Sequence, residues 1–146
     1  MNVKNLDTRA LVLTAAMELA SSGRWAQISL SDIARAADID LSELRAFFPN
    51  KSAILAAYLA DIDHRVLSRD FGFEAEDTPR DRLFEILMSR FEALTPHRMA
   101  FGAFSRDLHS DPIGALCLFP TALTSMIWML EAAGILSSGP FGLLRA

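Results

Sequence analysis

One cysteine, Cys117, is all the thiol this chain carries. That excludes an internal disulfide framework and makes a reducing cytoplasm the simplest setting. Basic excess is also lacking: 14 Lys and Arg face 18 Asp and Glu, a net charge of −4, so the total charge advertises no polyanion partner. No apolar stretch follows Met1-Asn2-Val3-Lys4, so no signal peptide is expected. Strand-type alternation, internal repeats and low-complexity tracts are absent from the sequence. So is a catalytic set. His64, His97 and His109 stand far apart along the chain, outside metal-ligand spacing. Cys117 has no cationic neighbour in sequence to activate it, and there is no Gly-rich phosphate loop. The reading is therefore a non-enzyme, with no catalytic residue, metal or cofactor assigned.

What is present is apolar and helical. Of 146 residues, 51% are hydrophobic, enough for a real core. Leu6, Ala10, Leu13, Met17 and Ala20 recur at helical spacing, predicting an amphipathic helix near residues 4–22 that stops at Ser22-Gly23. Ser29-Leu30-Ser31-Asp32 offers an N-cap with an acid three residues on, and predicts a short helix from about 30 to 37. Asp40-Leu41-Ser42-Glu43 repeats the pattern and opens a second short helix to about Phe47. Phe48-Pro49-Asn50 breaks the chain, and Asn50 caps a long helix over about 51–69. Gly72 to Asp77 is an acidic connector. Thr78-Pro79, Thr95-Pro96 and Asp111-Pro112 then each place a small polar cap before a proline at the first helical position. They predict helices at about 79–94, 96–109 and 112–133, the last ended by Gly134 and kinked at Pro120. Ser137-Ser138-Gly139-Pro140 reads as a loop. Phe141 to Ala146 reads as the start of another helix, so the chain is expected to continue. Pro112 to Leu130 has no charged residue, but Pro120, Thr121, Thr124 and Ser125 interrupt it and no basic cluster flanks it. A buried helix is favoured over a membrane span.

Two short helices joined by Asp38-Ile39-Asp40 and followed by a long one form the arrangement of a helix-turn-helix, whose second helix can enter the major groove. The run Ala15-Ala16-Met17-Glu18-Leu19-Ala20, then Gly23, Trp25, Ser31-Asp32-Ile33-Ala34, Ile39, Leu44 and Phe48-Pro49-Asn50-Lys51, is similar in order and spacing to the N-terminal domain of the TetR family of DNA-binding regulators. The resemblance covers about residues 6–58. It implies an all-α TetR-type fold: a three-helix head over residues 1–50 and a helical ligand and dimerisation body over 51–146, apparently truncated at its C-terminus.

Residue by residue, the resemblance places Lys51 and the following amides against a DNA phosphate. It puts Ser42, Glu43, Arg45 and Phe47 on or near the groove-facing side of the recognition helix. Arg45 would pair with guanine or clamp a phosphate, or else pair with Glu43 or Asp38 on the surface; Lys51 is otherwise a solvated helix-start lysine. Trp25, Ile33, Ile39, Leu44 and Phe48 are expected in the core. The chain also departs from the family. Leu41, Arg45 and Phe47 stand near positions where a lysine, a tyrosine and a histidine usually reach the DNA backbone, and Asp38 stands where glycine is usual. Residues 29–51 carry three basic against four acidic side chains, and residues 1–65 carry seven against eight. Phosphate neutralisation dominates affinity, so such a head needs its few cations to converge, with Lys4 or Arg24 joining Arg45 and Lys51.

In the body, Leu83, Ile86, Leu87, Arg90, Phe91 and Leu94 share one helix face, and Phe101, Phe104 and Leu108 share another. Leu116, Phe119, Leu123, Ile127 and Leu130 line the kinked helix. Phe91, Phe101, Phe104, Phe119, Leu123 and Ile127 are candidate pocket residues for an apolar ligand, Met88, Met99, Met126, Met129 and Trp128 adding to the density; an ordinary core with a dimer face accounts for the same pattern. His97, Arg98, Arg106 and His109 are placed at the pocket mouth or on the surface. The function implied is a cytoplasmic homodimeric regulator, a repressor that binds a double-stranded DNA operator and responds to an apolar small-molecule effector or lipid. The alternative is a lipid-binding protein of ubiquinone biosynthesis, built on the same fold without DNA binding. In the family the last two helices usually form the dimer bundle, and here they are absent or cut short.

Overall fold

The computed structural model describes the backbone of residues 3–22, 25–108 and 112–135, with side chains except at 3–5, 108, 112–115 and 117. Seven α-helices follow in order: α1 Val3–Ser21, α2 Leu30–Ala36, α3 Leu41–Phe47, α4 Lys51–Leu67, α5 Pro79–Leu94, α6 Arg98–Leu108 and α7 Pro112–Ala132. Short 3-10 turns sit at Trp25–Gln27 and Thr95–His97. The all-α fold is thus as expected, and among the described residues no helix is long and apolar enough to cross a membrane.

Local chemistry sets most of the boundaries. At α2 the Ser29 hydroxyl accepts from the Asp32 N–H, while the Asp32 carboxylate accepts from the Ser29 N–H at 2.9 Å, a complete capping box. Asn50 Oδ1 accepts from the Ala53 N–H at 2.8 Å to start α4, and Thr78 caps α5 ahead of Pro79. α7 runs through Pro120 and closes on Gly134, whose φ of +75° is left-handed. There the Ile135 N–H reaches the Leu130 carbonyl and the Gly134 N–H reaches Glu131, the paired bonds of a Schellman stop.

Three local features differ from expectation. Thr95 does not cap α6: its hydroxyl donates back to the Phe91 carbonyl, and the chain passes through the 3-10 turn straight into α6. Asp40 occupies the N-cap position of α3 without making a side-chain cap bond. Its intended partner, Glu43, instead accepts from the Thr8 hydroxyl of α1 at 3.5 Å. In α1 the buried face is Thr8, Val12, Leu13, Ala16, Met17 and Ala20, while Leu6 and Ala10, expected on the apolar face, are exposed beside it. Gly23, Arg24, His109, Asp111 and residues 136–146, and the side chains of Lys4 and Cys117, lie outside the described residues.

The described buried side chains form one cluster that runs from the head into the body. Met17, Ile33, Leu44, Ile54, Ile62, Ile86 and Met129 are fully buried in it, each contributing about 1.5–3 kcal/mol. α1 packs on α2, α4 and α6, and α4 packs on α5 and α7. Rings mark the seam: Trp25 meets Phe104 edge-on at 4.9 Å, Phe104 meets Phe101 at 5.6 Å, and Tyr58 touches Phe101 and His97. Burial among these rings pushes the Tyr58 hydroxyl pKa up, with the nearby Arg65 opposing it.

Candidate nucleic-acid interface

The Leu30–Ala36 helix ends on Asp38, which takes a φ of +54°. The Ile39 N–H bonds the Ala34 carbonyl and the Asp38 N–H bonds Arg35, so the turn is the same left-handed stop seen after α7. Aspartate enters this conformation more readily than most residues, which explains how it stands where glycine is usual. The turn redirects the chain so that α3 lies across α2, its inner edge fixed by Leu44, and Phe48 buried just beyond its end. Trp25, Ile33, Leu44 and Phe48 are core as expected, with Ile39 half-buried.

The outward face of α3 carries Leu41, Ser42, Arg45 and Ala46, all exposed. Positions 41 and 45 stack one turn apart, with 42 beside them. Arg45 makes no ion pair among the described residues. Glu43 is half-buried toward α1 and Phe47 is half-buried beside the Phe48 ring, so neither stands on the free face with Ser42 and Arg45. Between α2 and α3 lies a shallow, mainly apolar groove of about 460 Å³ bounded by Leu30, Ser31, Leu41, Ser42, Leu44, Arg45 and Phe48.

Lys51 points inward. Its ammonium donates to the Trp25 carbonyl at 2.6 Å and the Ile28 carbonyl at 2.8 Å, and lies 4.6 Å from the centre of the Trp25 ring. Both carbonyls belong to the irregular 25–28 turn, and the lysine ties that turn to the start of α4. Sequence reasoning missed this latch, because no local pattern marks those carbonyls as acceptors. Arg35 pairs with Asp32 at 3.3 Å on the exposed side of α2. Asp32 itself is held below its usual pKa, first by the Ser29 hydroxyl and then by the Ser29 backbone N–H. A depressed carboxylate contributes stability above its unfolded pKa and loses it as pH falls through the folded value, so this cap is an acid-sensitive element only.

The six candidate pocket residues do not line one described cavity. Phe91, Phe119 and Leu123 are exposed, Ile127 is half-buried, and Phe101 and Phe104 are spent on the ring contacts to Tyr58 and Trp25. Phe91, Phe119 and Leu123 stand on parts of α5 and α7 that no described element covers. A cleft of about 490 Å³ lies instead between α4 and α7, lined by Ala60, Asp63, His64, Leu67, Pro120, Thr121, Thr124, Ser125 and Trp128. Its floor is braced by Asp63, which accepts from Arg90 Nε of α5 at 2.8 Å in a largely buried ion pair. Of the cations proposed for the mouth, Arg98 and Arg106 are exposed and His97 packs against Tyr58. Among the described residues no group of three His, Cys, Asp or Glu is placed to hold a metal.

A comparison with curated proteins finds the HTH-type transcriptional regulator EthR of Mycolicibacterium smegmatis, 34% identical over 114 residues, covering 73% of this chain and 50% of the relative. The chain is similar to a TetR-family regulator, and its all-α fold is of that type. It spans about half the length of the curated relative it matches. No family model and no solved structure matches the chain.

Proposed function

We propose that this chain is the head and part of the body of a DNA-binding transcriptional regulator, a repressor that acts as a homodimer in the cytoplasm and responds to an apolar small molecule. The observation that carries this reading is the left-handed turn at Asp38, which leaves Ser42 and Arg45 free on the outer face of a second helix. The similarity to a named helix-turn-helix regulator supports it. The effector is assigned to the cleft between α4 and α7, whose Thr121, Thr124 and His64 give polar handles beside Leu67 and Trp128. The test is a salt titration of binding to random duplex and to the upstream region of the chain's own gene. Binding that weakens linearly with log salt, and is tighter for the upstream region, is expected. No binding even at low salt would sink the regulator reading.

A second reading, a lipid-binding protein of ubiquinone biosynthesis on the same fold, draws support from apolar side chains left exposed on α5 and α7: Phe84, Met88, Phe91, Leu116, Phe119 and Trp128. Isoprenoid or fatty lipid co-purifying with a chain that ignores DNA is the outcome that favours it.

A further inference from the structure

We infer that the recognition helix reads its half-site chiefly through thymine methyl groups, with Leu41 as the specificity-determining contact and Arg45 supplying the polar one. This rests on the DNA-binding reading above. Among the described residues the head keeps few cations for phosphate. Lys51 is turned into the 25–28 turn and Arg35 is paired with Asp32. Asp38 and Asp40 both lie exposed at the turn, where they repel the backbone. Arg45 is the cation on the outer face of α3 that no ion pair engages. Phosphate contacts carry no sequence information in any case, so discrimination on this face comes from base edges.

The side chains on that face decide which edges. Leu41 is 51% exposed on the face it shares with Arg45, one turn away. Leu41 also forms the lip of the apolar groove whose wall includes Leu30 and Phe48. A leucine has no donor or acceptor, so it cannot read guanine, cytosine or adenine by hydrogen bonds. The one apolar feature in the major groove is the C5 methyl of thymine. A helix laid in that groove with Arg45 on guanine brings Leu41 and the groove beside it onto a neighbouring thymine. Ser42, next to Leu41, tolerates any base and adds no conflicting demand.

The experiment uses the full chain and duplexes selected with it from a random-sequence library at low salt. In a selected duplex each thymine is replaced in turn by deoxyuridine, which keeps the pairing edge and removes only the methyl. The expected result is roughly four-fold weaker binding at one or two positions per half-site, the value of one buried methyl. In Leu41→Ser that sensitivity should disappear at the Leu41 position, and a guanine preference should remain until Arg45 is changed. A thermal melt of the variant confirms that it folds, and the deoxyuridine series on the unaltered chain stands whether it does or not. Selected duplexes that bind equally well with deoxyuridine throughout, or a Leu41→Ser variant with unchanged methyl sensitivity, would overturn the inference while leaving DNA binding intact. Enrichment of no duplex would remove the regulator reading and this inference with it.

Discussion

Lys51 occupies a position that the family resemblance assigns to a phosphate, yet its ammonium is held by two main-chain carbonyls and the Trp25 ring. The energetics favour keeping it there. A charge-assisted hydrogen bond contributes about 1.5–3 kcal/mol, and two carbonyl oxygens lose their donor if the ammonium goes. Lys51→Met keeps the apolar stem and removes the charge. It is expected to lower unfolding free energy by about 2 kcal/mol, measured as a shift of the urea midpoint at constant slope. A lysine serving only a DNA phosphate would weaken DNA binding and leave the midpoint where it was, so an unmoved midpoint refutes the latch.

At the scale of elements, α4 is the strut between head and body, and it is pinned on two sides. Arg9 of α1 forks onto Asp61 at 3.0 Å on its half-exposed side. Arg90 of α5 reaches Asp63 at 2.8 Å on its buried side. The first pair is open to water and contributes little. The second is expected to behave differently, since removing one partner strands a charge in the interior. Arg90→Ala should cost about 3 kcal/mol, and the pair Asp63→Leu with Arg90→Met should recover most of that loss in chemical denaturation. A double variant as unstable as the single one would show that the pair itself, and not the stranded charge, carries the effect. Such pairings mark the limit of what the sequence discloses. Helix starts were legible because Ser29 with Asp32, Asn50, and Thr78 with Pro79 act within one turn. The outer face of α3 was legible in part: Ser42 and Arg45 lie exposed on it, on the side the resemblance implied, while Glu43 is drawn to Thr8, 35 residues away. Periodicity identified the apolar faces of α5 and α7 but says nothing of what covers them, which is why Phe91 and Phe119 are exposed and the cleft formed elsewhere.

Across the whole molecule, head and body do not hold separate cores. The 25–28 turn belongs to the head, yet the Ala26 N–H donates to Asp107 Oδ2 of α6 at 2.6 Å and Trp25 packs edge-on against Phe104. Lys51 then ties the same turn to α4. Any displacement of α6 therefore acts directly on the turn that precedes α2, and stability is shared across the joint. The chain's two tryptophans make this measurable, because Trp25 is buried in the head and Trp128 is exposed on α7. In a Trp128→Phe background the remaining fluorescence reports the head, and far-UV circular dichroism reports all the helices. Their urea transitions should coincide, as for a single cooperative unit. Adding Phe104→Ala, a change in the body, should shift the head signal by about 3 kcal/mol, the usual cost of truncating a buried phenylalanine. A head transition that stays fixed while the helical signal moves would mean that the two parts unfold independently, and that α6 has no mechanical hold on the recognition helix.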